Sequence, residues 1–282
     1  MTVPPVAAAV VLGGAALHAA WNIGIRGGAD RRLATAEVMI GSALIAALGL
    51  PFLKPPAEAA WPHLALSLVL HTLYFNLVAE AYVRGGISLI YPVMRGLAPA
   101  LTAIVVTIGF GEHLGAGGWA GLGLISAGVL ALAHRSGGAD ERRGLAIALL
   151  NATVIAAYTT NDGFGVEASA APLAYALWVF VLPAAPAALI LTRLKPARLT
   201  APGLTAPRLL RALGGGVCSV ASYATALWAM TLAPIGAIAA LRETSMLFAV
   251  LLAWTVLGER PGRRGLLAIV LIAAGAATLR LV

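Results

Sequence analysis

Two arginines lie inside long apolar runs and could bind an anion. Arg95 lies in the run 87–110 and Arg242 in the run 234–257, each about eight residues from the start of its run. A charge deep in hydrocarbon costs about 2.5–3.5 kcal/mol on insertion scales, so a function is expected of it. A guanidinium in a water-filled cavity can hold a carboxylate through paired hydrogen bonds, so both arginines are candidate ligands for a carboxylate.

A structural interpretation of the arginines stays open, because acids are available to pair with them. Glu243 adjoins Arg242, and Glu80 lies in the apolar run before Arg95. Glu243 is also a candidate for taking up and releasing protons, since burial and a neighbouring arginine shift a carboxyl pKa in opposite directions. The alternative is that Glu243 is an ion-paired structural acid.

His18 and His71 are the histidines within apolar runs, and either could carry a proton or donate to a carboxylate. A hydrogen-bonded structural role is the alternative for both. Neither has a second ligand at the spacing that metal sites use, so no metal site is predicted. We place His71 among the candidate substrate-binding residues.

Aromatic and amide side chains recur on particular apolar runs and could line a cavity. Packing or an interfacial belt is the alternative for each aromatic taken singly. As a set they favour a cavity that accepts a small amphipathic solute. Besides His71 and the two arginines, the predicted lining residues are Trp21, Asn22, Tyr74, Tyr91, Tyr158, Tyr223 and Trp228.

Motifs typical of enzymes are absent from the chain. No G-x-x-x-x-G-K-[ST], H-E-x-x-H or G-x-S-x-G occurs, so phosphate-loop, zinc-protease and hydrolase chemistry lack support. We therefore predict no catalytic residue, no cofactor and no enzyme activity. Cys218 is the only cysteine, so no disulfide can form within the chain.

The elements that carry these residues are apolar helices. The chain has 282 residues, is 60% hydrophobic and 11% charged, and has a mean hydropathy of +0.92, whereas soluble domains carry about 25% charged residues. A helix needs about 20 apolar residues to cross a bilayer. We predict an all-α membrane protein of ten transmembrane helices, near 4–25, 34–53, 62–83, 87–110, 116–134, 144–163, 171–192, 209–231, 234–257 and 263–281.

The two halves of the chain echo each other at an offset of 147 residues. Arg95 corresponds to Arg242, and Gly111-Glu112 to Gly258-Glu259. Five spans per half, an odd number, would invert the second half relative to the first, which is the architecture of many secondary transporters. We therefore predict two inverted five-helix repeats, 1–134 and 144–282, with a functional site near the midplane between them.

The basic residues predict an orientation in the bilayer. Fifteen of the nineteen Lys and Arg residues lie in the odd-numbered loops, while Lys54 and Arg280 lie on the other side. The positive-inside rule then places the odd-numbered loops in the cytoplasm and both termini outside. Short basic loops, rather than one basic patch, also argue against a nucleic-acid partner.

Two segments resemble the drug/metabolite transporter superfamily, and its EamA-type members in particular. The first is Gly86-Ile-Ser-Leu-Ile-Tyr-Pro-Val-Met-Arg-Gly-Leu-Ala-Pro leading to Gly111-Glu112, and the second is Ala240-Leu-Arg-Glu-Thr-Ser leading to Leu257-Gly-Glu-Arg. Ala19-Ala-Trp-Asn22 fits the same pattern. The resemblance implies ten helices in two inverted repeats, a central cavity walled by the third, fourth, eighth and ninth spans, and export of small metabolites, with YddG-type amino-acid exporters as the nearest analogue.

The expected function is a multi-pass transporter of the bacterial inner membrane. It would export or exchange amino acids, aromatic ones included, and related small metabolites by alternating access, acting as a monomer in the lipid bilayer. A sugar-nucleotide or phosphorylated-sugar exchanger shares the fold but would want more cations in the cavity than the two arginines. A non-transport membrane subunit and a membrane-embedded enzyme are further alternatives.

Overall fold

The structure is a computed structural model that describes residues 3–26, 31–84, 87–133, 140–183, 205–258 and 260–281. For some helical residues, Trp21 and Asn22 among them, only the backbone is described. Within these ranges the chain forms helices and turns, with no strand. The all-helical class predicted from composition is thereby confirmed for the described residues.

Each predicted apolar run is helical over its described part. The helices are α1 (Pro5–Arg26), α2 (Arg31–Gly49), α3 (Trp61–Arg84), α4 (Ile87–Phe110), α5 (Ala116–Ala131), α6 (Glu141–Ala168), α7 (Pro172–Val181), α8 (Ala206–Met230), α9 (Ile235–Arg242), α10 (Thr244–Leu257) and α11 (Arg263–Leu281).

Four helical stretches in the described part of the chain are long and apolar enough to cross a membrane, judged by length and composition. They are Leu89–Phe110, Glu141–Ala168, Ala206–Met230 and Ile235–Thr255. Shorter apolar helices cover Pro5–Ala20, Glu37–Phe52, Ala116–Ala131 and Pro172–Val181. The chain therefore has the character of a membrane protein.

The predicted run 234–257 is broken at Glu243, between α9 and α10. The backbone N–H of Glu243 donates to the carbonyl of Ala240 at 3.0 Å, a tighter turn than an α-helix makes. The hydroxyl of Thr244 donates to the carbonyl of Leu241 at 2.7 Å, which offers that carbonyl a partner outside the regular helical pattern. The break places a carboxylate at a bend inside the bundle.

Gly111 and Gly258 end α4 and α10 in the same way. Gly111 has a φ of 71° and Gly258 a φ of 70°, the left-handed conformation that terminates helices and favours glycine. The two glycines, which correspond under the offset, therefore end their helices with the same backbone conformation.

Helix packing pairs elements that correspond under the 147-residue offset. Under the offset α1 corresponds to α6, α3 to α8, and α4 to α9 with α10. The helix α3 packs on α6, and the corresponding helices α8 and α1 pack together as well. Likewise α4 packs on α6, and α9 and α10 pack on α1. Between α5 and α11, Gly128 faces Ile272 while Gly275 faces Ile125. Gly128 corresponds to Gly275 and Ile125 to Ile272 under the offset, so the two contacts are equivalent. This is expected for an interface with a two-fold relation.

The connections between the ten predicted spans can be numbered from one to nine along the chain. Contacts between helix ends in the described residues join two even-numbered connections or two odd-numbered ones. The N–H of Ala57 donates to the carbonyl of Ser169 at 2.9 Å, linking the second and sixth connections. Arg208 pairs with Glu37 at 2.7 Å, near the first and seventh. Such pairing is what a chain that alternates between two faces of a bilayer requires.

We expect Gly121→Ala to destabilise the α5–α11 contact strongly. A Cβ at Gly121 would lie 2.8 Å from the carbonyl oxygen of Gly275, whereas a Cβ at Gly123 would meet nothing within 4 Å. Close helix approach through small residues is the main source of packing in lipid. Thermal unfolding in detergent should show a large loss for Gly121→Ala and none for the matched control Gly123→Ala. Equal melting of the two variants would contradict this packing.

Candidate functional site

A buried ion pair joins α4 to the bend between α9 and α10. Arg95 Nη2 lies 2.9 Å from Glu243 Oε1, and the two side chains are only 7% and 5% exposed. Glu243 adjoins Arg242 in sequence, but its ion pair is with Arg95. The other acid considered as a partner, Glu80, instead contacts Arg84 one turn along α3.

The ion pair leaves polar atoms unused. Arg95 Nε and Glu243 Oε2 are buried and have no hydrogen-bond partner among the described residues. Buried polar atoms are nearly always paired, so each unpaired one calls for an explanation, such as a ligand. Both residues line a narrow cleft, whose described lining is Arg95, Ala98, Pro99, Thr102, Ile155, Thr159, Ala239, Arg242 and Glu243.

Arg242 lies in the same cleft and packs on an aromatic ring. Its guanidinium carbon lies 4.8 Å from the centre of the Tyr223 ring, a cation–π distance. Within the described part of the chain it makes no ion pair with an acid. The Arg242 side chain is thus held by a ring face, and its hydrogen-bond donors remain available to a ligand.

Four of the predicted lining residues form one aromatic cluster beside the cleft. The ring of His71 lies 4.3 Å from that of Tyr158 and 6.1 Å from that of Tyr223, and Tyr74 lies 5.6 Å from Tyr158. These residues come from α3, α6 and α8. The fold therefore assembles side chains that are far apart in sequence into a single wall.

The other predicted lining residues are Tyr91, Trp228, Trp21 and Asn22. Tyr91 on α4 and Trp228 on α8 are partly buried and pack against the main hydrophobic core. Trp21 and Asn22 lie on α1, and their side chains fall outside the described residues. His18, also on α1, lies within electrostatic range of both arginines of the cleft.

Asp162 on α6 is a buried acid that the sequence analysis did not single out. Its carboxylate accepts hydrogen bonds from the Tyr223 hydroxyl at 2.6 Å, the Tyr175 hydroxyl at 3.1 Å and the Asn161 amide at 3.2 Å. His71 Nε2 lies 4.0 Å from it. The signal was present as a run of polar residues, 158–162, inside an apolar helix.

Glu112, which follows α4, caps the start of α9. Its carboxylate accepts hydrogen bonds from the N–H of Ile235 and, at 3.5 Å, from the N–H of Gly236. The first N–H groups of a helix have no partner within the helix, so this acid satisfies two of them. The contact joins the connection after α4 to the connection before α9.

Burial raises the pKa of the Glu112 carboxyl above its ordinary value of 4.5, against the opposing effect of the Ile235 and Gly236 N–H groups. A raised pKa in the folded state means that protonation stabilises the fold. This contribution is complete below about pH 4.5 and is lost as the pH rises through the raised pKa. We therefore expect the melting temperature of Glu112→Gln to match the parent's near pH 4.5 and to exceed it at pH 8.

Glu112→Ala is the matched control for the cap itself. It removes the acceptor of both N–H groups and should be less stable than Glu112→Gln by about 1 kcal/mol at every pH. A difference between parent and Glu112→Gln that does not change with pH would contradict the burial of this carboxyl.

Comparison with known proteins identifies the second half of the chain. No curated protein sequence matches the chain significantly. A crystal structure aligns with it at a TM-score of 0.73 and 18% identity, covering 98% of this chain and 96% of that one. At this identity the likeness shows the fold alone. The model of the EamA-like transporter family matches residues 142–281. Residues 142–281 are therefore an EamA-like transporter domain of the drug/metabolite transporter superfamily.

Proposed function

We propose that the chain is a secondary transporter that exports or exchanges amino acids and related small metabolites. The observation that carries this proposal is the pair of unused hydrogen-bonding groups in one cleft, the Arg242 guanidinium and the second carboxylate oxygen of Glu243. Arg242 makes no ion pair with a described acid, and Glu243 Oε2 has no described hydrogen-bond partner. A cleft that offers both signs of charge suits a zwitterion better than it suits an anion or a cation alone.

The substrate's two charged groups have separate places in this proposal. Its carboxylate binds Arg242, whose planar donors match a carboxylate. Its ammonium group binds Glu243 Oε2, which is buried and needs a donor. The aromatic wall formed by Tyr74, Tyr158 and Tyr223 would take an apolar or aromatic substrate side chain.

The proposed architecture is ten transmembrane helices in two inverted five-helix repeats, 1–134 and 144–282. The exchanged contacts Gly128–Ile272 and Gly275–Ile125 support a two-fold relation between the halves. The equivalent left-handed glycines 111 and 258 support it as well. Binding at the interface of such repeats is typical of transporters that work by rocking the halves about a central site.

The size of the cleft supports a cycle with an enclosed state. The space between Arg95, Thr159 and Arg242 holds little more than a water-sized molecule, about the minimum that a cavity needs for one. An amino acid would enter only after α4 and α9 move apart. The chain would complete this cycle as a monomer in the bacterial inner membrane.

A sugar-nucleotide or phosphorylated-sugar exchanger is disfavoured by Glu243. A phosphate ester brings about two negative charges. Of the two arginines in the cleft, Arg95 is already paired with Glu243. Glu243 would repel the phosphate, and only Arg242 would remain to neutralise the charge of the phosphate.

Counterflow in proteoliposomes tests the proposed substrate class. Vesicles loaded with one unlabelled solute are diluted into the same solute in labelled form, across a panel of amino acids, nucleotide sugars and organic cations. We expect exchange of one or more amino acids by the parent and none by the Arg242→Met variant at equal protein content. Exchange of nucleotide sugars without any amino acid would overturn the proposal.

A further inference from the structure

We propose that His71 and Asp162 form a proton-binding site that couples transport to proton movement. The proposal rests on the transport function proposed above and adds the ion that drives it. It starts from a buried carboxylate that faces, at 4.0 Å, an imidazole from the other half of the chain.

The carboxylate of Asp162 is fully buried and has no permanent cation in contact. Its described partners are two tyrosine hydroxyls and one amide, all uncharged. A buried charge normally pairs with an opposite charge, because removing it from water costs several kcal/mol. In the described part of the chain, His71 is the side chain within 4.0 Å that can supply one.

The surroundings of His71 favour one tautomer of its neutral ring. Nδ1 lies 3.0 Å from the carbonyl oxygen of Ser67 and 3.1 Å from the hydroxyl oxygen of the same residue. A carbonyl can only accept and a serine hydroxyl can accept as well, so a hydrogen on Nδ1 suits both contacts. In the neutral ring Nε2 is then a bare acceptor, and it faces a carboxylate oxygen at 4.0 Å, beyond hydrogen-bond distance. A proton taken from water by Nε2 turns two facing acceptors into a donor and an acceptor, with no other bond broken.

This proton would join the two halves of the molecule. His71 lies on α3 in the first half, whereas Asp162, Tyr175 and Tyr223 lie on α6, α7 and α8 in the second. A protonated His71 would draw α3 toward a carboxylate that already holds three helices together. The same contact must loosen when the halves rock apart, so proton binding and the transport cycle are linked.

The groups around His71 also link the proton to the substrate. Ser67 on α3 and the hydroxyl-bearing rings of Tyr158 on α6 and Tyr223 on α8 surround it. Two charged side chains lie close by: the Asp162 carboxylate at 4.0 Å, and the Arg242 guanidinium, which packs on the same Tyr223 ring that His71 contacts. A substrate carboxylate bound to Arg242 would offset the repulsion between this guanidinium and a protonated His71.

The flux experiment separates coupling from transport. Counterflow of a labelled amino acid, measured without a pH gradient, requires only the transport site. Accumulation of the amino acid driven by a pH gradient requires the proton site as well. We expect Asp162→Asn to keep at least half of the parent's counterflow and to lose gradient-driven accumulation at least tenfold. Tyr175→Phe removes one hydrogen bond to Asp162 but leaves His71 facing it, so it should keep both activities.

Three outcomes would overturn the proposal. One is gradient-driven accumulation by Asp162→Asn at the parent's level. Another is a loss by Tyr175→Phe equal to that of Asp162→Asn, which would make Asp162 a hydrogen-bonding centre only. The third is loss of counterflow in the folded Asp162→Asn variant, which would place Asp162 in the transport site itself.

A titration without substrate tests the proton site independently of the proposed transport function. The parent and the Asp162→Asn variant, labelled with 15N-histidine, are titrated in detergent while the His71 ring nitrogens are followed by NMR. We expect the proton affinity of His71 to be at least tenfold higher in the parent. An equal affinity in both proteins would overturn the proton site. Failure of the parent to exchange any amino acid would instead overturn only the proposed substrate class.

Discussion

Removing either partner of the Arg95–Glu243 ion pair should make the protein unfold at a much lower temperature. A buried charge that loses its partner costs about 3–5 kcal/mol, a large part of the stability of a typical fold. Arg95→Met would strand a carboxylate and Glu243→Gln would strand a guanidinium, both in side chains less than 8% exposed. The double variant removes both charges and should recover most of the folded protein. Size-exclusion chromatography of heated samples measures all three.

The Arg84–Glu80 pair serves as the control for this prediction. It joins the same residue types, but the two side chains are 33% and 47% exposed. Exposed pairs contribute about 0–1 kcal/mol, so Glu80→Gln should melt near the parent. A double variant of Arg95 and Glu243 no more stable than the worse single variant would contradict the pairing.

Arg242→Lys should abolish transport while the protein still folds. Glu243 is already paired with Arg95, so changing Arg242 strands no partner acid. Lysine keeps the charge but loses the planar arrangement of donors that holds a carboxylate and stacks on the Tyr223 ring. We expect at least a tenfold fall in counterflow at an unchanged amount of folded protein.

Tyr223→Phe is the matched variant for the Arg242 prediction. It keeps the ring under the guanidinium and removes only the hydroxyl that donates to Asp162. Substrate affinity should change far less than in Arg242→Lys. Normal counterflow by Arg242→Lys would assign the arginine to packing.

The arginines could be predicted from the sequence, but the partner of Glu243 could not. A charge in an apolar run is visible in one sequence, and so is the offset that relates Arg95 to Arg242. Neighbouring helical residues point about 100° apart, because a turn takes 3.6 residues, so Arg242 and Glu243 cannot easily face each other. Pairing Glu243 with Arg95 requires two segments 148 residues apart to meet, which only the packed fold shows.

Asp162 escaped prediction because the end of its helix was placed too early. The sixth run was predicted to end at 163, which would put this acid at the membrane surface, where its charge costs little. The helix continues to Ala168, and Asp162 is buried under Tyr175 and Tyr223. The break at Glu243 was also missed, because the apolar run continues through it and the turn depends on local hydrogen bonds.

A cysteine at Thr102 tests the central claim that the cleft opens to each side of the membrane in turn. Thr102 lines the cleft and is buried, whereas its neighbour Ala103 packs near Gly236 in the core. Each is changed to Cys in a Cys218→Ser background and exposed to a charged, impermeant thiol reagent in right-side-out and inverted vesicles. Alternating access predicts labelling of Thr102→Cys from both sides, slowed by the transported amino acid, and no labelling of Ala103→Cys. Labelling of the folded Thr102→Cys variant from one side alone, or from neither, would contradict the account.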